Sequence, residues 1–226
     1  MCRKACIDFG ARSLGEDDIK GKSVIEVGSL DVNGSLRSTV ESFAPGSYLG
    51  VDIQLGPGVD LICDAGELLE RFGPGKFDLV IATEMLEHVR DWRRVISNLK
   101  NILKADGIIF ITVPTRHFRY HGYPFDFWRY EAEDIKNIFS DLTIESIGED
   151  RKELSVFMRA RKPAGFAEND MAGYQLYSIV SGKRTPEISD REISAFKIRH
   201  FIRGIVSGVL PRRAKNIIKK YCLKNA

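Results

Sequence analysis

The 226-residue chain reads as an α/β protein on a doubly wound, mostly parallel sheet. Three observations predict this. Short apolar runs alternate with helical segments across short turns, over most of residues 20–162. Phe77-Asp-Leu-Val-Ile-Ala82 is apolar apart from Asp78, as expected of a strand covered on both faces. Val24-Ile-Glu-Val-Gly28 ends in a glycine and leads through a loop into a helical pattern opening near Asn33, as the first strand of such a sheet does.

Taken in order, residues 2–20 read as a helical segment closed by Gly21. Ser23–Val27 is the first strand, and a helix over about 34–44 stops at Ala44-Pro45-Gly46. Tyr48–Asp52 and Val59–Cys63 are the second and third strands, each ending at an acid, and a short helix over about 66–72 ends at Gly73-Pro74-Gly75. After the fourth strand comes a helix over about 91–104, apolar at Trp92, Val95, Ile96, Leu99, Ile102 and Leu103. Asp106-Gly107 turns it into the fifth strand, Ile108–Val113. An aromatic-rich loop, 115–130, precedes a helix over about 131–139. Strands near 142–148 and 154–161 lack a helix between them and read as an antiparallel hairpin at the sheet edge.

The loop after the first strand admits two readings, a dinucleotide pocket or an S-adenosylmethionine pocket. A dinucleotide fingerprint needs glycine at its first, third and sixth positions, because pyrophosphate sits almost on the backbone. Here those positions hold Gly28, Leu30 and Asn33. Glu26 would repel a pyrophosphate but attract a methionine ammonium or sulfonium. Against both stands the plain reading that any strand-turn-helix unit can carry a glycine.

The ordered set of motifs decides between them. Val24-Ile-Glu-Val-Gly28, an acid ending the second strand, Asp64 after the third, Phe77-Asp-Leu-Val-Ile with Leu86-Glu-His-Val, and Leu103-Lys-Ala-Asp-Gly-Ile-Ile together resemble the class I S-adenosylmethionine-dependent methyltransferases. The likeness is strongest to the group containing the ubiquinone and menaquinone biosynthesis enzymes, and it covers roughly residues 20–162. It implies a Rossmann-like, seven-stranded, mostly parallel sheet with helices on both faces, and S-adenosyl-L-methionine as cofactor. By match to the motifs, Glu26, Gly28 and Ser29 would line the methionine end, and Asp52 would hold the ribose hydroxyls. Ile53 would pack on the adenine, Asp64 and the Ala65 amide would meet its edge, and Ala82 and Thr83 would pass near the ammonium. The sequence departs from the family where Leu30 replaces a second glycine. Asp52 and Asp64 also fit a simpler role as turn or helix-cap residues.

A sulfonium methyl is already activated, so such an enzyme mainly aligns the acceptor and excludes water. The aromatic loop and the end of the fourth strand supply the candidates. His121, Tyr123 and Glu84 are the candidate catalytic groups, and His88, His117, Asp126, Trp128 and Arg129 the candidate substrate contacts, with Phe127 as a further wall. Asp126 and Arg129 can equally pair with each other, and His88 can be structural. No metal is expected. Cys2 and Cys6 lack a second pair at zinc spacing, and Pro114 and Gly122 argue against a helix presenting His117 and His121 together. The acceptor is expected to be a small molecule, of lipid, quinone or sugar type. The Asn/Asp-Pro-Pro-aromatic signature of amino methyltransferases is missing after the fourth strand, where Ala82-Thr-Glu-Met stands. A cofactor-binding module without turnover and a nicotinamide oxidoreductase remain the alternatives.

Composition sets the outer bounds. The net charge is +3, but residues 193–226 hold nine of the 34 basic residues and none of the 31 acidic ones. An acidic body gives no strong nucleic-acid signal. The expected organisation is a methyltransferase domain over 1–163, a linker over 164–190 and a basic amphipathic helical extension over 191–226. That extension suits either peripheral membrane contact or packing on the body or a second subunit, as in a homodimer. Scattered cysteines and no bilayer-length apolar run fit a cytoplasmic protein, at most peripheral at a membrane.

Overall fold

The computed structural model describes residues 4–122 and 125–209. It separates into two compact units, 1–187 and 188–226.

In the first unit, helices α1 (Lys4–Ser13) and α2 (Glu16–Ile19) precede β1 (Ser23–Val27), α3 (Arg37–Ser42), β2 (Ser47–Asp52) and β3 (Leu61–Ile62). Helix α4 (Leu68–Phe72), β4 (Phe77–Thr83), α5 (Trp92–Ile102) and β5 (Leu103–Pro114) follow. After β6 (Trp128–Arg129) come α6 (Ala132–Ile138), β7 (Thr143–Asp150), β8 (Ser155–Arg161), β9 (Leu176–Ser178) and β10 (Lys183–Thr185). Seven strands form one sheet in the order β3-β2-β1-β4-β5-β8-β7. β1 runs parallel to β2 and β4, and β4 parallel to β5, whereas β8 is antiparallel to β5 and β7. The expected seven-stranded sheet with an antiparallel hairpin at its edge is therefore present. Strand order reverses between β1 and β4, so a crevice opens at their carboxyl ends.

One face of the sheet buries Val24, Leu79, Ile81, Ile108 and Phe110 against Leu14, Ile19, Leu36 and Val40. On α5, Trp92, Val95, Ile96, Leu99 and Ile102 are buried, which is the periodicity read from the sequence. Asp91 caps this helix by accepting from the Arg94 amide at 3.2 Å.

Three sequence expectations are corrected. Asp106-Gly107 does not end a turn before the fifth strand but lies inside β5. There Asp106 takes φ 60°, and the register to β4 shifts between Phe77 and Leu79. The aromatic loop contains β6, which pairs with β9. The stretch 164–190, expected as a linker, folds as well: β9 and β10 join β6 in a three-stranded antiparallel sheet, with Leu176 and Ser178 fully buried. Arg93 on α5 holds this stretch through the carbonyls of Met171 and Pro186, at 2.7 Å each, and of Tyr174. Strands of two or three residues are too short to carry an alternating apolar signal, which is why the sequence pattern concealed them.

At the opposite, amino edge of the sheet, Asp78 accepts from the Ser23 amide at 2.8 Å, Ser23 Oγ at 2.6 Å and Lys104 Nζ at 2.8 Å. Burial raises the Asp78 pKa, but Lys104 and Ser23 outweigh it and lower the value to about 2. A depressed carboxylate contributes stability that is complete above its unfolded value and lost as pH falls through its folded one. Asp78→Asn should therefore cost about 1–2 kcal/mol near neutrality, after allowance for solvent screening. Denaturant midpoints should show that difference closing between about pH 4 and pH 2.

The second unit contains α7 (Asp190–Val209), opened by Ser189, whose Oγ and Glu192 bond each other. Ile198, Phe201 and Ile202, on one helical face, are 52–70% exposed. The rest of the basic extension, 210–226, lies outside the described residues. Among the described residues no helix is long and apolar enough to cross a membrane.

Candidate active site

The carboxyl ends of β1 and β2 are joined by the backbone. The Gly28 and Ser29 amides donate to the Val51 carbonyl at 2.9 and 3.1 Å, and the Leu30 amide reaches Asp52 Oδ2 at 3.3 Å. Gly28 and Asp52, expected on adjoining strand tips, are thus brought together. Gly28 has φ 79°, a region open to glycine, and a Cβ there would lie 2.6 Å from Met85 Cβ. Met85, just beyond β4, therefore sits directly on the turn.

Glu26 is buried and accepts from Tyr48 Oη and, at 3.3 Å, from Ser35 Oγ. Burial raises its pKa against these two donors. Ser29 is also buried, and among the described residues its hydroxyl has no partner. Asp52 Oδ1 accepts from the Gln54 amide at 3.0 Å. Asp64 Oδ1 accepts from the Gly66 amide at 2.7 Å, so the cap role weighed for it is real, while Asp64 itself remains exposed. Ala65 is buried. Ile53, next to Asp52, and Ile62, paired with it across β2 and β3, are more than half exposed, as are Val32 and Leu55 in the neighbouring loops. Ala82 and Thr83 are buried at the end of β4.

In the aromatic loop the pairing weighed for Asp126 and Arg129 is present. Arg129 is fully buried and uses all five of its donors. Nη1 and Nη2 grip Asp126 at 2.5 and 2.7 Å, Nη1 also donates to the Trp128 carbonyl at 2.7 Å, and Nε and Nη2 donate to the Phe118 and Arg119 carbonyls at 3.0 Å each. Asp126 further accepts from the His121 amide at 2.9 Å, and its pKa is pushed far down by Arg129 and His121 against burial. Trp128 is buried, with Nε1 on the Val89 and Arg90 carbonyls. Asp126 and Arg129 thus pair with each other, the alternative weighed from the sequence, and with Trp128 they form the framework of the loop. Buried Phe127 joins the same framework through its amide to the Glu87 carbonyl, at 2.8 Å.

His121 is half-buried between Asp126 and Glu87. Burial lowers its pKa, but the two carboxylates prevail and raise it to about 9. His88 lies beside it, ring to ring at 5.0 Å, with Nδ1 on the Phe125 carbonyl. Glu84, in a left-handed conformation (φ 51°), is buried and lies 3.4 Å from Ser155 Oγ. His117 is exposed and stands outside the His88–His121 group. Tyr123 lies outside the described residues. The residue that sequence reasoning passed over is Glu87, fully buried between the two histidines. Its signal was present in Leu86-Glu-His-Val, quoted only as a family motif.

A family model described as "Methyltransferase domain" matches residues 2–151. The chain belongs to the class I S-adenosylmethionine-dependent methyltransferases. Among curated relatives, the ubiquinone biosynthesis O-methyltransferase of Idiomarina loihiensis is 30% identical over 116 residues, 46% of each chain. That of Ralstonia nicotianae is 25% identical over 162 residues, covering 66% of this chain and 62% of its own. The methyltransferase chain thus spans about half the length of the curated relatives it matches. Among solved structures, the 1,6-didemethyltoxoflavin-N1-methyltransferase of Burkholderia thailandensis, bound to S-adenosylhomocysteine, has a TM-score of 0.55 at 15% identity. The match covers 71% of this chain and 79% of that one. The Synechocystis magnesium protoporphyrin IX methyltransferase, also with S-adenosylhomocysteine, has a TM-score of 0.53 at 19% identity, over 70% and 82%. At these identities the likeness is one of fold.

Proposed function

We propose that this methyltransferase transfers the methyl group of S-adenosylmethionine to a small-molecule acceptor across the crevice at the ends of β1, β2 and β4. The observation that carries this reading is the contact of the Gly28 loop with Asp52, beside the exposed side chains of Ile53 and Ile62. Asp52 has roughly four lone-pair sites and spends two on backbone amides, so two remain for a pair of ribose hydroxyls. Ile53 offers an exposed apolar surface for a purine, and the Ser29 hydroxyl, without a partner among the described residues, is free to meet a polar ligand atom. Glu26 lies inside the turn as a buried acid able to favour a nearby cation.

When bound, the cofactor would supply a sulfonium-activated methyl group, whose transfer to an acceptor hydroxyl would leave S-adenosylhomocysteine and release the hydroxyl proton. The chain's own part is alignment and exclusion of water. Glu84 and the turn carrying His88 follow β4, and His121 lies ring to ring with His88, so we assign these three to the acceptor side, with the loop locked by Arg129 as its wall. The curated relatives are O-methyltransferases, which favours an oxygen acceptor of quinone-precursor type.

Calorimetry tests the cofactor site. The wild-type chain should bind S-adenosylmethionine and not NAD, and Asp52→Ala should weaken that binding by about 1–3 kcal/mol, the worth of lost charge-assisted hydrogen bonds. Equal affinity in that variant removes the ribose assignment. Release of S-adenosylhomocysteine with phenolic, amine and lipid-linked acceptors then separates turnover from mere binding.

A further inference from the structure

Glu87 has no solvent exposure, and among the described residues neither of its carboxylate oxygens has a hydrogen-bond partner. A carboxylate buried in that state is costly unless a cation compensates it. Two imidazoles face it. His88 Nε2 and His121 Nε2 each stand 3.6 Å from Glu87 Oε1, and one ligand atom from each of the three residues lies within 4.8 Å of the other two.

The opposite nitrogen of each ring is already committed. His88 Nδ1 meets the Phe125 carbonyl, and His121 Nδ1 lies 3.0 Å from Asp126 Oδ2. An oxygen acceptor at Nδ1 fixes a proton there, so an incoming ion takes the place of any proton on Nε2. Histidine ligands of metals are held in this way, by a carboxylate or a backbone carbonyl on the far nitrogen. Asp126 is in turn immobilised by Arg129, so the His121 ring is held from behind.

We propose that Glu87 Oε1, His88 Nε2 and His121 Nε2 form a binding site for a divalent transition-metal ion of the zinc class. Two imidazoles and one carboxylate suit zinc and its neighbours, whereas magnesium and calcium select oxygen ligands. Tetrahedral ligand atoms at zinc bond lengths are about 3.4 Å apart, so the 3.6 Å pairs need to close by only a few tenths of an ångström. Three protein ligands leave a fourth position open, as catalytic zinc sites do. The short turn Leu86–His88 follows Met85, which rests on Gly28, so the ion would sit on the same sheet edge as the glycine loop. The site stands on its own ligand geometry, whatever the acceptor proves to be.

The test uses the full chain, stripped with a chelator and titrated with zinc by calorimetry and with cobalt by visible absorption. The expected result is one ion per chain and cobalt bands of a low-coordinate N/O site. His88→Ala and His121→Ala should each weaken binding at least about tenfold. His117→Ala, altering an exposed imidazole outside the group, should bind as the wild type does. Circular dichroism on each sample establishes that it is folded. His88→Ala, which leaves the Asp126–Arg129 framework intact, decides the matter if His121→Ala unfolds. Absence of stoichiometric uptake by the wild-type chain, or wild-type affinity in folded His88→Ala, overturns the site. S-adenosylmethionine affinity, measured on the same metal-free samples, reports separately on the cofactor crevice.

Discussion

Arg129→Ala should destabilise the protein by about 3–5 kcal/mol, the cost of removing one partner from a fully buried ion pair. Asp126 has no side-chain exposure and would keep a charge with only His121 to answer it. The carbonyls of Phe118, Arg119 and Trp128 would lose their shared donor as well. Denaturant unfolding measures the loss. Arg129→Lys should recover little of it, since an ammonium cannot reproduce the five-donor fork. Were Arg129 a substrate contact instead, Arg129→Ala would leave stability nearly unchanged and weaken acceptor binding. The structure favours the first outcome because the guanidinium has no donor left to offer a ligand.

That contrast marks where the sequence could be read and where it could not. The parallel sheet was legible because buried strands such as Phe77–Thr83 and Val24–Val27 must be apolar on both faces, and helix α5 because one stripe must face the sheet. The Gly28–Asp52 juxtaposition was legible through chain order, since adjacent parallel strands bring their carboxyl ends to the same edge. The aromatic loop was legible only as a pair of alternatives. A polar residue among aromatics has the same letter whether it meets substrate or a partner three residues away, and only three-dimensional packing decides between them. Asp126 and Arg129 found each other. Glu87 was passed over because it stood in the sequence only as part of Leu86-Glu-His-Val, and its complete burial at the turn Leu86–His88 follows from packing that the letters do not carry. The strands of 176–185 escaped because three residues each are too few to show a period, and Arg93 ties the flanking carbonyls of Met171, Tyr174 and Pro186 from another element, which no local pattern reveals.

Gly28→Ala should reduce methyl transfer roughly a hundredfold, as small displacements of an aligned site do. Two costs combine in it. The left-handed backbone at φ 79° penalises a side chain by roughly 1–2 kcal/mol. The new Cβ, 2.6 Å from Met85 Cβ, adds about 1–3 kcal/mol of overpacking unless the turn moves. Pairing the change with Met85→Ala does not remove that contact, because alanine keeps the Cβ, whereas Met85→Gly does. Gly28→Ala in a Met85→Gly background should thus retain only the backbone cost, and the cycle should show a coupling of about 1–3 kcal/mol in stability. Cofactor affinity measured on the same four proteins locates the crevice. If the turn holds S-adenosylmethionine, affinity should fall with Gly28→Ala and be partly restored in the double variant. A loss of stability with undiminished affinity would mean that the Gly28 turn serves the fold alone, and that the cofactor lies elsewhere on the sheet edge.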